Sequence, residues 1–117
     1  MQHRRNRVAE QFRVEISAIL SRELRDHIQG LVTITEVQLS PDLRQARVLI
    51  SLFGSEEQKA ATLAFLEESV GQIRRLVGSR IRLRHTPELV FVLDRAIEEG
   101  DRMVRLIEEV SRELPKE

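Results

Sequence analysis

Apolar residues recur at helical spacing over the first two dozen positions. Val8, Phe12, Ile16, Ile19, Leu20 and Leu24 make one stripe, which predicts an amphipathic helix from about Arg4 to Leu24. Asp26 to Gly30 breaks it. Leu31 to Leu39 is rich in β-branched residues and predicts a strand. Its apolar phase is even at Val32 and Ile34, then odd at Val37 and Leu39. A slip of one residue predicts a bulge or bend near Thr35–Glu36. Ser40-Pro41-Asp42-Leu43 reads as a turn that Asp42 serves. Arg44 to Phe53 follows as a second strand, with Ala46, Val48, Ile50 and Leu52 on one face. The two strands read as an antiparallel hairpin.

Gly54-Ser55 ends the hairpin, and Ser55 with Gln58 has the spacing of a capping box. Leu63, Leu66, Val70, Ile73, Leu76 and Val77 form a stripe that passes through Gly71. A glycine there, close behind a serine, predicts a kink at Ser69, Val70 and Gly71 between two helical pieces. The second piece is expected to end near Gly78-Ser79. Ile81-Arg82-Leu83-Arg84 alternates, which sets the arginines opposite the apolar pair. Pro87 allows a strand only at its edge or start, and Leu89 to Leu93 reads as a short buried strand. Met103, Leu106, Ile107, Val110 and Leu114 predict a last helix, interrupted at Gly100, closed by Pro115 and capped by Asp94. The class is α+β. Its first six elements, α-β-β-α-α-β around a three-stranded mixed sheet, match a type II KH arrangement with an extra C-terminal helix. One domain over residues 1–117 is expected.

Composition narrows the function. No cysteine is present, which excludes zinc–cysteine sites, thiol nucleophiles and disulfides. No apolar stretch follows the amino terminus, so a soluble, cytoplasmic protein is expected, away from membranes. Net charge is zero, but the signs are separated. Residues 1–25 hold six arginines against three glutamates, and residues 72–86 hold five arginines with no acid. Acids gather at Glu56, Glu57, Glu67 and Glu68, and from Asp94 to Glu117. A neutral chain so divided can present a basic and an acidic face. Its cations are nearly all arginine, whose planar fork pairs bidentately with phosphate and stacks on bases.

Arg74, Arg75, Arg80, Arg82 and Arg84 are therefore the main RNA-binding candidates, against the plain alternative of a solvated charged face. On a regular helix Arg80 would fall on the apolar side, so it is placed past the helix end. Arg4, Arg5 and Arg7 read either as a phosphate-binding arm or as a frayed terminus. His85 is a candidate for stacking on RNA. His3, His27 and His85 are too scattered for a metal site. Phe12, Phe53, Phe65 and Phe91 are assigned to the core, with Phe53 in the opposite phase to Ile50 and Leu52. No phosphate-binding loop, nucleophile elbow or dinucleotide fingerprint occurs. No catalytic residue, cofactor or enzymatic activity is expected. A protein–protein module using the acidic last helix and the sheet face is the alternative function.

The run Val37-Gln38-Leu39-Ser40-Pro41-Asp42-Leu43-Arg44-Gln45-Ala46-Arg47-Val48 resembles the hairpin signature of the ribosome-binding factor A family. So do the block from Gly71 to Gly78 and the block from Leu83 to Asp94, and the similarity covers nearly the whole chain. The resemblance implies a KH-like domain that acts late in small ribosomal subunit maturation. It implies binding to the free immature subunit and its RNA, at the neck and decoding region near the 5′-end helix, during 5′-end processing. It further implies release helped by a GTPase. A monomer is expected. The family replaces the G-x-x-G loop of ordinary KH domains with an A-x-G kink. Here Ser69-Val70-Gly71 stands at those positions, with serine for alanine, and a serine hydroxyl can bond a preceding carbonyl and bend the helix. No counterpart of the family's longer basic tail is expected after Pro115.

Overall fold

The computed structural model describes residues 2–94, and of residues 2–4 the backbone alone. Helix α1 spans Gln2–Arg22 and a single 3-10 turn follows at Arg25–His27. Strands β1 (Leu31–Leu39) and β2 (Gln45–Phe53) precede helices α2 (Glu56–Glu68) and α3 (Val70–Arg80), and β3 (Glu88–Leu93) closes the sheet. The last helix expected beyond Asp94, and with it the cap assigned to that residue, lie outside the described residues.

The apolar stripe of α1 is buried as its spacing requires, with Phe12, Ile16 and Ile19 fully out of water. The helix stops at Arg22, two residues short of Leu24. The 3-10 turn then begins, and Leu24 still reaches the core. Each such side chain contributes about 1.5–3 kcal/mol of burial. β1 and β2 pair antiparallel, with Leu31 opposite Phe53 and Ile34 opposite Ile50, and the register shifts between Ile34 and Glu36. Thr35 is the extra residue, so the expected bulge is present. Beyond it Val37 and Leu39 return to the buried face.

β2 and β3 run parallel, Val48 beside Phe91, and the order β1-β2-β3 leaves β3 at an edge. A parallel return needs a long crossover, which α2 and α3 supply. Pro87 sits one residue before the strand, where a missing N–H costs no ladder bond. The helices lie against Ile34, Val37, Leu39, Ala46, Val48, Ile50, Leu52, Leu89 and Phe91, with α1 packed on β1 and alongside α3.

Ser55 caps α2 with the expected reciprocal bonds: its hydroxyl accepts from Gln58 N–H, and the Gln58 side chain accepts from Ser55 N–H. Ser69, at φ −93° and ψ 2°, is the one residue separating α2 from α3. Gly71 is already inside α3, with open space where a Cβ would be. The helix ends at Arg80, one residue past Gly78-Ser79, close to where its end is expected. A Cβ on Gly78 would stand 2.7 Å from the Thr86 hydroxyl oxygen, so glycine is there to admit a neighbour rather than to stop a helix.

Phe12 and Phe91 are core, but Phe65 is half-buried and Phe53 half-exposed at 51%. Phe53 points away from Ile50 and Leu52 because strand alternation puts it on the outer face of the sheet. His27 stacks on Phe65, ring centroids 5.4 Å apart.

Candidate nucleic-acid interface

Helix α3 and the loop 81–87 carry the arginines singled out by the sequence, but they place them in three different situations. Arg80 is the last residue of α3, not beyond it, and its guanidinium turns to α1. It lies 3.6 Å from Glu15 and makes a closer pair with Glu23. Glu15 lies on α1 and Glu23 just past its end, and the cluster carries one net negative charge. Arg80 is thus a tie between helices at a partly exposed seam. Such a pair contributes about 0–1 kcal/mol.

Arg74 is exposed, yet one edge of its guanidinium is engaged. Nε donates to the carbonyls of Thr86 (3.2 Å) and Pro87 (3.1 Å), and Nη2 donates to Thr86 O at 2.6 Å. These acceptors are neutral, so the positive charge remains while the Nε–Nη2 edge is occupied.

Arg75, Arg82 and Arg84 are exposed, and their side chains have no hydrogen bond or ion pair among the described residues. His85 is exposed beside them. Ile81 and Leu83 are half-buried and pack on the core, which turns the intervening arginines outward, as their alternation predicts. This segment is a loop and not a strand.

The loop borders a groove against α1, lined by Gln11, Val14, Arg80, Arg82 and Leu83 among others. Arg7 is one turn before Gln11 on the same helical face and is exposed. Arg4, Arg5 and Arg7 all fall within α1, and Arg5 is half-buried. The neighbouring Glu10 is matched by Arg13 three residues on; that hydrogen bond holds the Glu10 carboxyl below its ordinary value and raises Arg13. Exposed Arg44 and Arg47, on the hairpin, were outside the sequence candidates. Arg47 faces outward on β2, which alternation alone could mark, and Arg44 lies in the turn before that strand.

No three His, Cys, Asp or Glu side chains gather for a metal ion among the described residues. None of the helices searched there is long and apolar enough to cross a membrane. What the surface offers is cationic, forked hydrogen-bond donors on a fixed frame, suited to phosphate oxygens.

Element order, mixed sheet and the broken α2–α3 pair define a KH-like domain. The chain belongs to the ribosome-binding factor A family, whose model matches residues 4–107. It is 44% identical to ribosome-binding factor A of Thermomicrobium roseum, over 98% of this chain and 89% of that one. It is 42% identical to the Brevibacillus brevis protein of that name, over 96% and 93%. The crystal structure of ribosome-binding factor A from Thermus thermophilus is similar at a TM-score of 0.68 and 25% identity, over 78% of this chain and 97% of that one. A homology model of the Thermus thermophilus protein, fitted into a cryo-EM map of a 30S complex, is similar at a TM-score of 0.50 and 28% identity, over 69% and 93%.

Proposed function

We propose that this protein binds the free, immature small ribosomal subunit through its RNA, as a non-catalytic assembly factor of late maturation and 5′-end processing. The observation that carries the reading is the outward set Arg75, Arg82 and Arg84, unpaired among the described residues, on a held frame, in a chain whose family is named for ribosome binding. A relative has been fitted to a 30S complex. The mechanism is docking of a rigid arginine surface on folded RNA, where shape and phosphate positions set specificity. Release would fall to a GTPase, and the protein would act as a cytoplasmic monomer without cofactor.

The test is a salt titration of binding to purified small subunits, with large subunits and complete ribosomes as comparisons. Three phosphate contacts at about 0.7–0.9 each predict a log–log slope of about −2 to −3. Replacing Arg82 and Arg84 with glutamine removes two of these and should flatten the slope by about 1.5. Glu23→Gln, which neutralises the Arg80 seam, should raise affinity. A folded Arg82→Gln/Arg84→Gln variant with an unchanged slope would refute the arginine surface, and equal recovery with large subunits would refute the choice of partner.

A further inference from the structure

The loop that presents Arg82, Arg84 and His85 is fixed from outside itself. At its start, Ile81 N–H donates to the Val77 carbonyl at 2.8 Å and closes the end of α3. At its far end Pro87 is fully buried, and Glu88 N–H donates to Arg44 O at 2.8 Å. Between these anchors Leu83 packs on the core, and the described hydrogen bonds to the loop come from α3. Gly78 lies so close to Thr86 that a Cβ there would stand 2.7 Å from the hydroxyl oxygen. Arg74, one turn earlier on the same face, grips the Thr86 and Pro87 carbonyls at 2.6–3.2 Å.

A planar guanidinium can hold two successive carbonyls where an ammonium acts as a point donor. We propose that Arg74 is a positioning residue for RNA binding: it holds the 82–86 backbone so that Arg82 and Arg84 meet phosphate without first being ordered, and does not itself contact phosphate. This rests on the reading that the arginine surface binds the subunit. Ordering rotamer-rich side chains and a loop at the moment of binding lowers affinity, and a clamp made in the free protein removes that cost.

The experiment uses the full chain and purified small subunits. Arg74→Gln should speed amide exchange over residues 82–86 in the free protein while leaving the β1–β2 ladder unchanged. It should weaken subunit binding by roughly tenfold. Arg74→Lys, which keeps the charge and loses the fork, should also weaken it. In an Arg82→Gln/Arg84→Gln background, Arg74→Gln should cost little more, because the groups it positions are gone. Unchanged exchange at 82–86 overturns the clamp and leaves the arginine surface standing. A full-sized loss in the double-variant background, or wild-type binding by Arg74→Lys, overturns the proposal in favour of direct contact or charge alone. Wild-type binding by Arg82→Gln/Arg84→Gln itself removes the arginine surface, and the positioning role falls with it.

Discussion

The hairpin turn at residues 40–44 and the loop at residues 81–87 each lead into a strand and each expose arginines, but they are held in opposite ways. The turn closes on itself. Ser40 Oγ donates to Asp42 Oδ1 at 2.7 Å, Arg44 N–H donates to the same oxygen at 3.1 Å, and Gln45 N–H donates to Ser40 Oγ at 3.0 Å. Leu43 N–H adds a bond to Ser40 O at 2.9 Å. This set holds Leu43 at φ +60°, a left-handed conformation that a leucine adopts only when its surroundings over-determine it. The loop at 81–87 is held instead by Arg74, twelve residues before Thr86, and by the bare backbone of Gly78. A turn built from its own side chains survives changes elsewhere. A loop positioned by a distant helix inherits every change made to that helix.

The largest break in this comparison should come from Gly78→Val. Thr86 is β-branched and stiff at χ1, and its Cβ and Cγ2 both stand 3.6 Å from the position a Gly78 Cβ would take. Rotating the hydroxyl away therefore brings another atom in. Overpacking of this kind costs about 1–3 kcal/mol, read as a lower denaturation midpoint, and should weaken subunit binding further through the displaced loop. Gly71→Ala on the same helix is the control. Nothing lies within 4 Å of its would-be Cβ, so alanine's better helix propensity should stabilise by about 0.5–1 kcal/mol. A destabilised Gly71→Ala would mean that this glycine, and not Ser69, makes the break between α2 and α3.

The same contrast explains what the sequence revealed. The α1 stripe, the slip at Thr35, the Ser55–Gln58 box and the Ser40–Asp42 turn are local patterns, and each is where periodicity or spacing put it. The arginines were legible as charge, and Arg82 and Arg84 as outward by alternation. Their differing roles were not, because Arg74 and Arg80 are defined by groups far along the chain: the Thr86 carbonyl and Glu23. Gly78 looked like a helix end because helices often stop at glycine. Only the packing of Thr86 shows that the glycine is needed for room. Arg74 and Arg75, adjacent in sequence and alike in charge, differ because the helix aims one at the loop and the other at solvent.

The smallest expected effect is the most local. The Ser40 hydroxyl, then the Arg44 N–H, hold the Asp42 carboxyl below its ordinary value of 3.8. A lowered folded pKa means that the ionised carboxylate favours the fold. That contribution is complete above the unfolded value and is lost as pH falls from there through the folded one. Acidification through and below 3.8 should therefore loosen the turn, seen as faster exchange at the Arg44 and Gln45 amides. The guanidinium–carbonyl clamp on the other loop contains no group that takes up a proton in that range, so relative exchange over residues 82–86 should not follow. Ser40→Ala removes the larger cause of the shift. An NMR titration should find the Asp42 carboxyl moved up toward 3.8, while Glu10, lowered by its own partner Arg13, stays in place as a reference. If Asp42 titrates at the same pH with and without the Ser40 hydroxyl, the turn is not closed by its own side chains, and the distinction between the two connections is lost.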